Sequence, residues 1–541
     1  MRAAPWSRKA ALRLRRIFQF LQVMHPGESI NHTREGIYIE YPHLRLSSLH
    51  LREIIWVFIA QAGTPVVSLI SVRLLTHLLI PSEYGTVAIV MSYILAALTI
   101  IVVPMSGPGA IFFYEWVKKG RIREFYGTLL AIYGILGGLI VIGLGVFALL
   151  QRLANLPLIS SVILCGALLL CAEIIKGPVI TLANTATLRR EYALLSLLDG
   201  WGKLLLVLLM VTLAGKGFQP VLTAYMLNSF IVASVGWNTL FNSSQGHVSS
   251  VPLPFFSGML LYSLLKYSWP FCGIGLANWA LSVSDRALLG AMVSAHDAGI
   301  YTASYQIASI IPMALYSFFG ALIWPVIYQR YAWAPTQAVI LIGKSFGYLL
   351  WLIVPFTLLA ILGKHVLLGV FVGQGYETGS SIILWVAPAF ALIGLNSITA
   401  MPFWLMDRSL MYLIITAGSA ACNILLNLIF IPKVGFQAAA VSTFVAYLML
   451  FVASILIGRQ AMKWTISPVH LYATAIGTVV GVVFFIVLGH AGSLMNMGLF
   501  FVAYFSSSIA LLLMIDETSR LRVLNAFSRF SAWDKSLDPP H

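Results

Sequence analysis

Apolar runs of about 20 residues follow one another almost without a break between residues 54 and 515. A helix rises 1.5 Å per residue, so a run of that length crosses the roughly 30 Å hydrocarbon core of a bilayer. In lipid every backbone N–H and C=O must be satisfied within the segment, which leaves the helix as the structure for such runs. Charges and turn residues divide them near 54–80, 86–108, 125–150, 158–180, 194–214, 220–241, 259–284, 300–326, 338–362, 380–405, 410–431, 437–458, 470–489 and 495–515, or about fourteen spans. Composition excludes the soluble alternative: of 541 residues 60% are hydrophobic and only 9% charged, with a mean hydropathy of +0.91. So few charges do not cover the surface of a soluble chain of this size. The expected fold is all-α and polytopic.

The net charge of +15 is carried between the spans. That placement speaks against a nucleic-acid partner and for membrane lipids. If both termini are cytoplasmic, the inner side holds Arg8, Lys9, Arg13, Arg15, Arg16, Lys118, Lys119, Arg121, Arg123, Arg189, Arg190, Arg330, Arg408, Arg459 and Lys463. The outer loops then hold about one base each, such as Arg152, Lys216, Lys364 and Lys433. Basic residues favour the cytoplasmic side, so N-in and C-in is the expected orientation, and an even number of spans agrees with it.

The same reading divides the chain into a basic N-terminal tail (1–53), a first lobe of six spans (54–241), a linker (242–258), a second lobe of six (259–458), two further spans (459–515) and a tail (516–541). Within the first tail, residues 6–24 suit a basic amphipathic helix on an anionic leaflet, a disordered tail being the alternative. The tail lacks the continuous apolar stretch of a signal peptide.

The two lobes read as copies. RLLTHLLIPSEYGTV, starting at Arg73, and RALLGAMVSAHDAGIY, starting at Arg286, align at an offset of about 214, with Gly85 on Gly299 and Glu83 on Asp297. Arg73 and Arg286 match within one position. Gly217-Phe218-Gln219 and Gly435-Phe436-Gln437 repeat at an offset of 218. Copies of six spans enter from the same side and are related by a pseudo-two-fold axis along the membrane normal. Transporters with that arrangement carry substrate at the interface between lobes.

Chemistry in such a chain is sought first among enzymes. GxxxxGK[ST] and HExxH are missing, and Cys165, Cys171, Cys272 and Cys422 all fall within spans without metal-ligand spacing. No catalytic residue, metal site or cofactor is expected. What remains is charge inside apolar runs, which is expensive and so turns to a partner or a wet cavity. Arg73, Arg286, Lys176 and Lys266 are the candidates for binding an anion, since cations outnumber acids there and a guanidinium fork matches phosphate oxygens. Snorkelling to headgroups or local pairing is the alternative for each, Lys176 with Glu173 and Lys203 with Asp199 in particular. Asp285 is either a titratable coupling group or a local ion-pair partner. Asn278, Gln306 and Trp279 suit sugar contacts, with helix packing as the alternative.

RLLTHLLIPSEYG at 73–85, SDRALLGAMVSAHDAGIYTAS at 284–304 and NILLNLIFIPKVGFQAAAVST at 423–443 resemble the motifs of the polysaccharide-flippase branch of the multidrug/oligosaccharidyl-lipid/polysaccharide (MOP) exporter superfamily. The resemblance covers about residues 52–515. It implies two six-helix lobes plus two C-terminal helices. It also implies transport of undecaprenyl-diphosphate-linked oligosaccharide across the bacterial inner membrane by alternating access, without enzymatic activity. The diphosphate would sit among the cavity cations, and the lipid tail would stay in the bilayer beside spans 13 and 14. A lipid-linked glycan and a polysaccharide polymerase or assembly proteins are the implied partners. A lipid II flippase, a small-molecule antiporter of the same superfamily and a membrane enzyme of polysaccharide assembly are the competing readings.

Overall fold

A computed structural model of the chain describes residues 31–33, 36–38, 48–153, 161–243 and 256–515, except for 103, 106–111, 114–115, 118, 187, 407, 467 and 488–493. The expected helix at 6–24, most of the 242–258 linker and the C-terminal tail lie outside these residues. Residues 1–55 and 56–541 form separate compact units. The first contains a short antiparallel pair, β1 (Asn31–Thr33) and β2 (Gly36–Tyr38), with Asn31 opposite Tyr38. The cavity described below lies wholly within the second.

The first half contains α1 (Ser48–Leu78), α2 (Pro81–Ile101), α3 (Ile122–Leu153), α4 (Ser161–Thr185), α5 (Arg189–Ala214) and α6 (Phe218–Ser243). The second contains α7 (Gly258–Ser282), the short α8 (Ser284–Met292), α9 (Ala295–Trp333), α10 (Pro335–Leu362), the short α11 (Lys364–Phe371), α12 (Ser380–Thr399), the short α13 (Met401–Leu405), α14 (Ser409–Val434) and α15 (Phe436–Ala461). A hairpin of α16 (Pro468–Val487) and α17 (Leu494–Ile515) follows. Among the described residues, 12 helical stretches are long and apolar enough to cross a membrane, which makes this a multi-pass membrane protein. The other two expected spans, 54–80 and 259–284, fall on α1 and α7, helices of 31 and 25 residues that are not among the twelve.

Local chemistry sets the helix starts. Pro81 stands at the first turn of α2, where its missing N–H is not needed, and Ile80 before it is extended (φ −72°, ψ 159°). Ser294 caps α9 by accepting from the Asp297 N–H at 3.1 Å. The sequence reading carried the seventh span through to Ser284 and placed a loop after it. The structure instead breaks the helix at Val283 (φ −138°, ψ −24°) and starts α8 there, with Asp285 and Arg286 in its first turn.

The repeat is visible in the packing. Helix α4 packs on α6, α5 on α6 and α3 on α4; in the second half α12 packs on α15, α14 on α15 and α10 on α12. Helices α5 and α14 each have 26 residues, as do α6 and α15. Both α6 and α15 begin at a Phe preceded by a glycine in a positive-φ conformation, Gly217 (φ 152°) and Gly435 (φ 72°). Those are turns that other residues adopt only under strain, and they account for the second sequence echo. The halves meet chiefly where α2 lies along α9, and α7 bridges α2 and α14. The α16–α17 hairpin packs on α10, where Tyr504 donates its hydroxyl to the Trp351 carbonyl at 2.9 Å and Trp351 Nε1 donates to Ser508 Oγ at 2.9 Å. Large apolar side chains such as Ile135, Leu139 and Ile142 of α3 are exposed, as a lipid-facing surface requires.

Candidate functional site

The contact between α2 and α9 closes one end of a cavity. The sequence reading aligned Gly85 with Gly299, and these two glycines meet face to face. A Cβ on Gly85 would stand 1.7 Å from the Ala295 carbonyl oxygen, and one on Gly299 would stand 1.9 Å from that of Pro81. Only glycine permits this approach. The closure extends to the turn after α11. The Gly373 N–H donates to Thr76 Oγ1 at 2.9 Å, and the Tyr376 hydroxyl donates to the Leu79 carbonyl at 3.0 Å. Glu83 ties the same end of α2 to the start of α6, where its carboxylate accepts from the Phe218 N–H at 2.7 Å. A carboxylate at a helix N-terminus is favoured by the partial positive charge there.

Inside this closure lies a cavity of about 650 Å³. Its wall is formed by α1 (Thr64, Ser68, Leu75), α2 (Tyr84, Ala88, Ser92), α5 (Asp199, Lys203), α6 (Tyr225), α8 (Arg286) and α9 (Thr302, Gln306). Along α2 it runs from Tyr84 to Leu95, roughly 16 Å at the helical rise. The repeat explains part of this lining: Ser92 and Gln306, like Ala88 and Thr302, are 214 positions apart. Equivalent positions of the paired helices α2 and α9 both face the axis between the halves.

On the second-half side Arg286 is only 9% exposed. Its guanidinium lies over the Tyr305 ring, 4.4 Å from the centroid, and Nη1 donates to the Ser282 carbonyl at 3.2 Å. Its Nε has no hydrogen-bond partner. The neighbouring Asp285 points elsewhere: its carboxylate accepts from the Tyr301 hydroxyl and from Thr443 Oγ1 at 3.3 Å, and it meets Arg286 only through the backbone N–H. Adjacent helical residues do not share a face, so the carboxylate does not cover the guanidinium. A buried cation facing a cavity with an unused donor is a costly arrangement unless an anion completes it.

On the first-half side four charges from α4 and α5 form a cluster. Lys176 Nζ lies 2.8 Å from Glu173 Oε2 and 3.0 Å from Asp199 Oδ1; Lys203 Nζ lies 3.3 Å from Asp199 Oδ1 and 3.6 Å from Glu173 Oε1. Ser229 and Asn228 of α6 donate to Glu173 at 2.6 Å and to Asp199 at 3.3 Å.

The sequence-derived residues therefore separate. Arg286 and Gln306 line the cavity, and Gln306 accepts from the Tyr84 hydroxyl at 3.3 Å. Lys176 is buried in the charge cluster behind the wall. Arg73 and Asn278 are exposed and do not line the cavity. Lys266 is exposed, with its ammonium 5.9 Å from the centre of the Tyr262 ring. Trp279 uses its indole N–H to hold α2, donating to the Ser92 carbonyl at 2.9 Å. Lys203 and Asp199 pair as the sequence suggests, at 3.3 Å, but they also line the cavity, as do Tyr84, Ser92, Tyr225 and Thr302, which the sequence did not single out. The 214-residue offset alone would have drawn Ser92 from Gln306. Among the described residues, no group of three or more His, Cys, Asp or Glu side chains is placed to hold a metal ion.

Comparison with known proteins adds the family. The model of the family described as polysaccharide biosynthesis protein matches residues 50–330. A search of curated proteins finds no match. Among solved structures, the lipid II flippase MurJ in an inward closed conformation aligns with a TM-score of 0.67 at 12% identity, covering 85% of this chain and 98% of that one. An inward-facing multidrug resistance MATE family transporter of the MOP superfamily aligns at 0.52 and 16% identity, covering 74% and 97%. At such identities the likeness is one of fold. The family match covers more than half of the chain, and the fold of MOP exporters extends over most of it; the chain belongs to the polysaccharide biosynthesis protein family.

Proposed function

We propose that the protein flips an undecaprenyl-diphosphate-linked oligosaccharide across the bacterial inner membrane by alternating access. The observation that carries this reading is Arg286, a buried guanidinium with an unused donor on the wall of a cavity between two repeated halves. Its fork suits a diphosphate, and Gln306, Ser92 and Thr302 offer hydrogen-bonding groups for the first sugar. In the N-in, C-in orientation the turn between α1 and α2 is external. The Gly85–Gly299 contact then seals the outer end, as a state that loads from the cytoplasm requires. Asp285, held by Tyr301 and Thr443 next to Arg286, is the candidate coupling group. Fourteen spans, and association with a polysaccharide polymerase, belong to the same reading. The alternative of a small-cation exporter is disfavoured by the cavity's positive residues.

The test is reconstitution. Purified protein is placed in proteoliposomes with a fluorescent undecaprenyl-diphosphate oligosaccharide, and its exposure to an impermeant quencher is followed. The expected result is exchange between leaflets well above protein-free vesicles, lost in Arg286→Gln. Vesicles that move a labelled organic cation but no lipid-linked glycan would overturn the reading.

A further inference from the structure

Lys203 is the outlying member of the first-half cluster. Lys176 makes the close contacts to both carboxylates, at 2.8 and 3.0 Å, whereas Lys203 stands off at 3.3 and 3.6 Å. The lysine side chains also differ in exposure, 7% for Lys176 and 24% for Lys203. Lys203 reaches the cavity, with its ammonium 5.7 Å from the centre of the Tyr225 ring. Asp199 reaches the cavity as well and serves both lysines. The cluster is thus neutral at rest, with one ammonium on the cavity side and both carboxylates shared between the two lysines. Across the same cavity stands Arg286, from the other half, with no carboxylate on its guanidinium among the described contacts.

We propose that Lys203 and Arg286 form a two-cation site for a diphosphate, one cation from each half, in which the ligand displaces Asp199 from Lys203. This rests on the diphosphate reading above and adds the second cation and the built-in competitor. A flexible ammonium on a four-carbon stem can leave one anion for another, while Lys176 keeps its contacts to both carboxylates left behind. The exchange leaves the cluster with one net negative charge, but neither carboxylate is isolated from a base. Because the two cations belong to different halves, the bound anion ties the halves together.

The competitor gives the proposal opposite signs at adjacent residues. Binding of inorganic pyrophosphate, and of undecaprenyl diphosphate in mixed micelles, is measured on the full-length protein by intrinsic tryptophan fluorescence. Lys203→Gln is expected to weaken binding about tenfold, Lys203→Arg to retain it, and Asp199→Asn to tighten it several-fold, as charge-assisted bonds gained or lost at a shielded site imply. Lys203→Gln and Arg286→Gln combined should cost less than their separate effects multiplied, as for two groups on one ligand. Wild-type affinity in Lys203→Gln, with affinity lost in Arg286→Gln, would overturn the two-cation site and leave the diphosphate reading standing. Wild-type affinity in both variants, or no binding by the unaltered protein, would remove the diphosphate reading too. If Lys203→Gln does not fold, Asp199→Asn decides: affinity that is unchanged or weaker refutes displacement.

Discussion

Adding one methyl group at Gly85 tests the closure of the cavity directly. In the closed structure that Cβ would overlap the Ala295 carbonyl oxygen at 1.7 Å and crowd the Gly299 nitrogen at 2.8 Å. Both neighbours are backbone, so no side chain can swing aside. Relief from 1.7 Å to an ordinary contact of about 3.4 Å requires α2 and α9 to separate locally by roughly 1.7 Å, and overpacking of this kind costs about 1–3 kcal/mol. The whole cost falls on the state in which the helices touch. The balance against any state in which they part shifts by the same amount, roughly 5–150-fold. The assay is labelling of a cysteine at Thr302, a cavity residue just inside the contact, in a background with the four native cysteines replaced. An impermeant maleimide is applied from the side of the α1–α2 turn. Gly85→Ala should raise the labelling rate strongly, and Gly299→Ala should do the same. The double variant should add little, because parting the helices once relieves both overlaps. Gly143→Ala on α3, where nothing lies within 4 Å of the added carbon, is the control. Unchanged labelling in a folded Gly85→Ala protein would refute the assignment of this contact as the seal.

Three further outcomes are expected. Lys176→Met leaves Glu173 and Asp199 with one shared lysine in a buried setting and should destabilise the protein by about 3–5 kcal/mol, read as a lower melting temperature in detergent; an unshifted melt would show that the cluster contributes nothing. Glycan export should persist in Arg73→Gln and fail in Arg286→Gln, measured as surface polysaccharide with equal protein in the membrane, since only Arg286 reaches the cavity; equal loss in both would return Arg73 to the site. Thr76→Val keeps the shape but strips the Gly373 N–H of its acceptor, a loss of about 1–3 kcal/mol, and should speed amide exchange at Gly373.

The helices were legible because a bilayer leaves the chain little choice: long apolar runs, prolines at first turns and bases between runs carry most of the fold. The pairing of Gly85 with Gly299 was legible too, since a repeat around an axis brings equivalent positions together on that axis. The facing of individual side chains was not. Arg73 and Arg286 are 213 positions apart, whereas the glycines, Ser92 and Gln306 are 214 apart. One residue is about 100° on a helix, enough to turn Arg73 out of the wall. The break at Val283 then places Arg286 on a separate short helix with its own direction. That Lys203 turns to the cavity was not legible for a related reason. A basic residue near the start of a span can snorkel outward or turn inward, and the neighbours that decide, Glu173, Lys176 and Tyr225, come from α4 and α6.

The α16–α17 hairpin is anchored on α10 through Trp351, Tyr504 and Ser508, and hence on the second half. If the two halves tilt against each other, as the proposed alternating access requires, the hairpin travels as a passenger on the second half. A dye on α17 paired with one on α3 would thus read the angle between the halves, while leaving the cavity untouched.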